Sequence, residues 1–187
     1  MTHAAGAAGA AGEDALRAAI RRAIREIPDY PKPGISFKDI TPLLGDAELF
    51  AATCAQLAAP FRDAGITHVL SIESRGFLFG GPVAVTLGAG LIPVRKPGKL
   101  PYETTREEYA LEYGTDALEV HIDALGSGAR VLVTDDVLAT GGTAAAASRL
   151  VHKLGGEVVG STFLIELAFL GGRAMLPGQR VESAIVY

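Results

Sequence analysis

The chain has 187 residues, with 17 Lys and Arg against 21 Asp and Glu and a net charge of -4. That balance opposes nucleic acid as the main partner, since backbone phosphate requires a basic face, so any anion has to be met by local groups. A single cysteine, Cys54, excludes an internal disulfide or a cysteine-based metal cluster, and with no membrane-length apolar run and no leader pattern the expected setting is the cytoplasm.

Residues 1–13 form a low-complexity Ala/Gly stretch with nothing to bury, expected to be a disordered tail ahead of one domain over residues 14–187. From Asp14 the pattern is helical. Leu16, Ile20, Ala23, Ile24 and Ile27 share one face and Arg17, Arg21, Arg22 and Arg25 the other, until Pro28 ends it. The arginine run is read as a solvated face. Between Tyr30 and Leu44, prolines 31, 33 and 42 exclude a helix and leave backbone groups outside any regular ladder, where a ligand can use them. Ala47 to Ala64 returns to helical spacing through Leu49, Phe50, Thr53, Cys54, Leu57 and Phe61.

Strand and helix then alternate. Thr67 to Ile72 is a strand, and Glu73-Ser74-Arg75-Gly76-Phe77 turns into an apolar helix that ends at Gly88. A short polar turn at a helix start offers N–H groups to an anion, and Arg75 there is either a ligand for it or one half of a structural ion pair. Leu91 to Val94 is the next strand. It runs into the densest basic cluster of the chain, with Arg95, Lys96 and Lys99 either solvated or facing an anion, and then into a polar segment, Tyr102 to Tyr113, long enough to suggest a lid. Glu119 to Ile122 is a short strand, and Gly126-Ser127-Gly128 a turn that precedes a strand and so is no dinucleotide fingerprint.

The most informative stretch runs from Val131 to Thr143. An apolar run without polar alternation reads as a strand covered on both faces, with Asp135 and Asp136 at its carboxyl end, where open α/β sheets bind ligands. Two carboxylates there accept hydrogen bonds from vicinal hydroxyls. Thr140, Gly141, Gly142 and Thr143 follow directly, and Ala144, Ala147, Leu150, Val151 and Leu154 recur at helical spacing, so the turn opens a helix whose first N–H groups suit a phosphate. The stretch has neither the P-loop lysine nor the dinucleotide G-x-G-x-x-G. Strands at Val158 to Leu167 and Ser183 to Val186 complete an α/β fold with a parallel sheet, and the four histidines lack ligand spacing, so no zinc site is inferred.

The string from Val131 to Thr143 resembles the phosphoribosyl-pyrophosphate signature of the type I phosphoribosyltransferases. Three other strings resemble the adenine-specific members of that family: Pro33 to Ile40, their hood segment; Glu73 to Phe77, their pyrophosphate loop, with Glu73 in place of the usual Asp; and Arg95 to Pro101 through Leu111 to Gly114, their flexible catalytic loop. The resemblance implies a central parallel sheet flanked by helices, a small hood at about residues 28–45 and a mobile loop at about 95–114. It implies that adenine and phosphoribosyl pyrophosphate give AMP and pyrophosphate, with Mg²⁺ held mainly by substrate and water, in a homodimer. It assigns the ribose and 5-phosphate to Asp135, Asp136, Ala139, Thr140, Gly141, Gly142 and Thr143, and pyrophosphate to Glu73, Ser74, Arg75, Arg95, Lys96 and Lys99. Adenine falls to Ser36, Phe37, Lys38 and Val137, and catalysis to Glu112, Arg75 and Lys99. Many relatives have Arg in place of Lys38, which leaves the main chain as the reader of the base. The rivals are a sister enzyme for hypoxanthine, guanine or xanthine, which the hood and the Leu111 to Gly114 string oppose, and a non-catalytic ligand-sensing regulator on the same fold.

Overall fold

The computed structural model describes residues 3–110 and 114–187. The chain divides into two compact units, Met1–Cys54 and Ala55–Tyr187.

In the first unit α1 spans His3–Ala23 and so begins well before Asp14. The tail expected to be disordered is rich in alanine, the best helix former, and extends the helix toward the N-terminus. At the other end α1 stops short of Pro28, and Arg25–Ile27 forms β1. Ile27 precedes a proline, which disfavours helical backbone at that residue. β1 pairs antiparallel with β2, Phe37–Asp39, setting Arg25 opposite Asp39, Glu26 opposite Lys38 and Ile27 opposite Phe37. Two expectations for Tyr30 to Leu44 therefore need correction: the segment does join a ladder, and it contains a short helix, α2, Thr41–Gly45. Pro42 sits in the first turn of α2, where its missing N–H has no helical partner to lose. α3, Ala47–Ala58, begins in this unit and ends in the second; it is capped by Asp46, whose carboxylate accepts the Leu49 N–H at 3.0 Å, and Pro60 turns its far end into a 3-10 turn, Ala59–Phe61.

The second unit carries β3 (His68–Ile72), α4 (Gly76–Leu87), β4 (Gly90–Val94), β5 (Thr104–Ala110), β6 (Thr115–His121), β7 (Arg130–Leu138), α5 (Gly142–Lys153), β8 (Glu157–Glu166) and β9 (Val181–Val186). Five strands form one sheet in the order β4-β3-β7-β8-β9, each pair parallel. The chain leaves β3 toward one edge through α4 and β4, and leaves β7 toward the other through α5 and β8. Between β3 and β7 the winding reverses, and at such a switch point the loops beyond the carboxyl ends part and leave a crevice.

One face of this sheet packs on α5. Leu70, Ile72, Val131 and Val133 meet Ala146, Ala147, Leu150 and Val151, with Leu118 and Val120 of β6 closing the cluster. Leu150 has no exposed surface, and truncating such a side chain to alanine costs about 2–5 kcal/mol. Within the segment expected to be a lid, residues 104–110 form a strand, since β5 pairs antiparallel with β6 from Thr104 opposite His121 to Ala110 opposite Thr115. The hairpin is tied to α5 by Glu107, which takes Arg149 Nε at 2.6 Å and Lys153 Nζ at 2.5 Å. Hydrogen bonds from Lys153 and Arg149 outweigh burial and hold the Glu107 carboxyl below the usual carboxylate range.

Candidate active site

Both predicted anion turns open at the switch point. β3 passes through Glu73 and Ser74, joined by a cis peptide, into α4, with Arg75 as its N-cap. The start of α4 lies close against β7: a Cβ added to Gly76 would stand 2.8 Å from Asp135 Oδ1 and 3.2 Å from the Thr134 carbonyl oxygen. β7 continues to Leu138, so the acidic pair lies within the strand and not just beyond it. After Leu138, Ala139 and Thr140 lead to Gly141, the N-cap of α5 at φ 83°, a backbone conformation that favours glycine. An open pocket is lined by Asp135, Val137, Leu138, Ala139, Thr140, Gly141, Thr143 and Ala144. Asp135 and the helix start thus share one pocket, whose lining does not include Asp136; Gly142 is the first residue of α5.

Asp135 Oδ1 accepts the Asp136 N–H at 2.8 Å. Part of Asp135 reaches the pocket, yet burial first and the neighbouring Asp136 charge second push its carboxyl well above the usual range, with Arg75 opposing. Asp136 is buried and takes Arg75 Nε at 2.5 Å.

The expected pyrophosphate cations have internal acceptors too. Arg95 donates Nε to Glu73 Oε2 at 2.7 Å and Nη1 to the Lys99 carbonyl at 3.1 Å. Lys96 donates to Asp116, and to the Tyr109 hydroxyl at 2.8 Å. Burial alone would lower the Lys96 pKa, but the hydrogen bonds to Asp116 and Tyr109 outweigh it and raise the value. Lys99 is exposed, as are Ser74 and Arg75. Partly exposed pairs of this kind contribute about 0–1 kcal/mol each, so a polyanion can displace their carboxylates at small cost. Asp116 and Tyr109 were missed in the sequence because they lie in the hairpin, which reads as polar loop.

Ser36, Phe37 and Lys38 lie at and just before β2 in the first unit. Phe37 meets the Tyr30 ring edge-on at 5.2 Å, and Lys38 Nζ reaches Glu26 Oε1 at 2.5 Å. Glu112, expected as the catalytic carboxylate, lies outside the described residues.

A parallel sheet with two anion turns and an acid pair at its switch point defines an α/β protein built for a phosphorylated sugar or nucleotide. The family model for the phosphoribosyl transferase domain matches residues 44–169, and the chain belongs to that family. Its curated relatives include the adenine phosphoribosyltransferase of Sodalis glossinidius, 57% identical over 166 residues that cover 89% of this chain and 91% of the relative. The adenine phosphoribosyltransferase of Myxococcus xanthus is 52% identical over 92% of this chain and 94% of its own length. Among solved structures, adenine phosphoribosyltransferase from Rhodothermus marinus superposes with a TM-score of 0.89 at 54% identity, covering 93% of this chain and 99% of that one. The Saccharomyces cerevisiae enzyme, complexed with an imino-altritol bisphosphate and adenine, gives a TM-score of 0.85 at 37% identity over 91% and 99% of the two chains. Within the phosphoribosyltransferases, the chain belongs with the adenine phosphoribosyltransferases.

Proposed function

We propose that this chain transfers the phosphoribosyl group of phosphoribosyl pyrophosphate to adenine, forming AMP and pyrophosphate in purine salvage in the cytoplasm. The observation that carries the reading is the single pocket in which the Asp135 carboxylate and the Gly141-capped start of α5 lie together, a hydroxyl acceptor beside a phosphate cradle.

Asp135 and Asp136 hold the ribose hydroxyls, and Ala139 to Thr143 hold the 5-phosphate through backbone N–H groups and the Thr140 and Thr143 hydroxyls. In the reaction the bond from ribose C1 to the pyrophosphate oxygen breaks, both electrons leave with pyrophosphate, and a base nitrogen forms the new bond to C1. Arg75, Arg95, Lys96 and Lys99 with the Glu73-Ser74 turn meet the departing charge, and losing one such contact costs about 2–4 kcal/mol of barrier. Glu112 accepts a proton or hydrogen bond at the imidazole edge of the base. Ser36, Phe37 and Lys38 read adenine through their main chain and the Phe37 ring, with Val137 as an apolar contact.

Among the described residues no three His, Cys, Asp or Glu side chains converge on one point. Asp135 and Asp136 carry the oxygens that could hold the waters of a Mg²⁺ bound mainly by substrate, which when bound would neutralise part of the pyrophosphate charge. No helix among the described residues is long and apolar enough to cross a membrane. A homodimer completes the proposal, and sedimentation showing only a 19.4 kDa monomer would remove that part.

Incubating the protein with radiolabelled adenine, with and without phosphoribosyl pyrophosphate and Mg²⁺, tests the whole. Labelled AMP only in the complete mixture supports transfer to adenine. Turnover of hypoxanthine, guanine or xanthine alone would favour a sister enzyme, and binding of phosphoribosyl pyrophosphate without turnover a regulator.

A further inference from the structure

The phosphate turn has a wall behind it. A Cβ added to Gly141 would lie 2.3 Å from the Gly172 carbonyl oxygen, and one added to Gly172 would lie 2.3 Å from the Ala139 carbonyl oxygen and 3.1 Å from the Gly141 nitrogen. Backbone is therefore packed on backbone, with Gly172 against Ala139 to Gly141. Gly172 opens a 3-10 turn, Gly172–Met175, in the connection between β8 and β9. Short irregular turns have few internal restraints, so something else has to hold this one in place.

Two anchors do so. Leu176, next after the turn, is buried with Leu138, Ala144, Ala145 and Phe163. The polar anchor is stronger in direction. Glu166, the last residue of β8, is 5% exposed and accepts Arg173 Nε at 2.6 Å and Arg173 Nη2 at 2.7 Å, a two-pronged ion pair. Glu166 Oε2 also accepts the Ser183 hydroxyl at 2.7 Å, and Arg173 Nη1 donates to the Val181 carbonyl at 2.8 Å. The guanidinium thus ties the turn to β8 and β9 at once, and its planar fork fixes orientation as well as distance.

We propose that Arg173 is a positioning residue for the 5-phosphate: locked to Glu166, it holds Gly172 against Ala139 to Gly141 and so aims the N–H groups at the start of α5. The inference rests on the proposed assignment of that turn to the 5-phosphate. Nε, Nη1 and Nη2 each donate one hydrogen bond to a protein acceptor, so three of the five guanidinium N–H groups serve to hold the turn. Loosening the pair leaves the Gly141 turn in place but lets its wall shift, which misdirects the donors.

Calorimetric titration of ribose 5-phosphate and, separately, of inorganic pyrophosphate into wild type, Arg173→Met, Arg173→Lys and Gly172→Ala tests the idea. Arg173→Met should weaken ribose 5-phosphate about ten- to hundredfold and leave pyrophosphate within about twofold. In turnover the KM for phosphoribosyl pyrophosphate should rise more than kcat falls. Arg173→Lys should recover part of the loss, since an ammonium keeps the charge but not the fork. Gly172→Ala, which keeps the ion pair and pushes on the Ala139 carbonyl, should show the same selective loss and decides the matter if Arg173→Met fails to fold. Unchanged ribose 5-phosphate affinity in a folded Arg173→Met, or in Gly172→Ala where Arg173→Met does not fold, or equal weakening of both ligands, overturns the positioning role. A wild type that binds pyrophosphate but no ribose 5-phosphate would instead overturn the phosphate assignment, and the inference with it.

Discussion

Replacing Asp135 with Asn separates the burden this carboxylate places on the fold from its service to substrate. Burial and the adjacent Asp136 charge disfavour its ionised form, and the opposing attraction to Arg75 is weak because that side chain is 48% exposed and screened. The hydrogen bond from the Asp136 N–H at 2.8 Å survives, since the Asn carbonyl oxygen accepts as well. Removing the burden while keeping the bond should stabilise the ligand-free protein by about 1–2 kcal/mol near neutral pH, a gain typical of relieving a strained functional site. For a chain of this size that is about 2–8 °C in Tm. The sign follows from linkage. A carboxyl whose folded pKa is raised binds its proton more tightly in the native state, so its contribution is fully present below the unfolded value of about 3.9 and is lost as pH rises through the folded pKa. Thermal melts of wild type and Asp135→Asn across a pH series should therefore coincide in acid and diverge upward from about pH 4, with the variant the more stable. The same variant should bind phosphoribosyl pyrophosphate more weakly, having lost charge assistance to the ribose hydroxyls. A variant less stable than wild type at neutral pH, or a gap that widens on acidification, would refute the reasoning.

Asp116→Asn should release Lys96 for pyrophosphate and lower the pyrophosphate inhibition constant about three- to tenfold; an unchanged or higher constant would mean that Asp116 does not compete for the lysine. Glu112→Gln should lower kcat roughly 10²–10⁴-fold, and an unaltered single-turnover rate would remove Glu112 from the chemistry. Lys38→Ala should retain the preference for adenine even if it slows the enzyme, because Lys38 Nζ is committed to Glu26; partition of a base mixture between AMP and IMP is the check.

The site motifs were legible because each joins an apolar period to a turn of distinctive chemistry. Val131 to Thr143 and Glu73 to Phe77 lie where the winding of the sheet reverses, as strand ends of an α/β protein should. What the sequence hid were elements held by partners distant in the chain. β1 is three residues long and exists because Phe37–Asp39 pairs with it, so helical periodicity through Ile27 was misleading. β5 shows its alternation only in the folded state, where Tyr109 is buried and Arg106 and Glu108 are exposed; in the sequence its charges read as loop. The Glu166 and Arg173 pair was invisible for a related reason: an acid ending an apolar strand and an arginine after two glycines have meaning only once Gly172 is seen against Ala139.

The central claim is transfer to adenine, and direct competition between adenine and hypoxanthine for limiting phosphoribosyl pyrophosphate tests it most sharply. Adenine presents a 6-amino donor beside an N1 acceptor and hypoxanthine the reverse, so a main chain that matches one faces like-with-like pairings with the other. Each unmatched buried group costs about 1–3 kcal/mol, which predicts AMP over IMP by roughly 10²–10⁴-fold in kcat/KM, with one pyrophosphate released per AMP. Comparable formation of IMP, or consumption of phosphoribosyl pyrophosphate without AMP, would contradict the account.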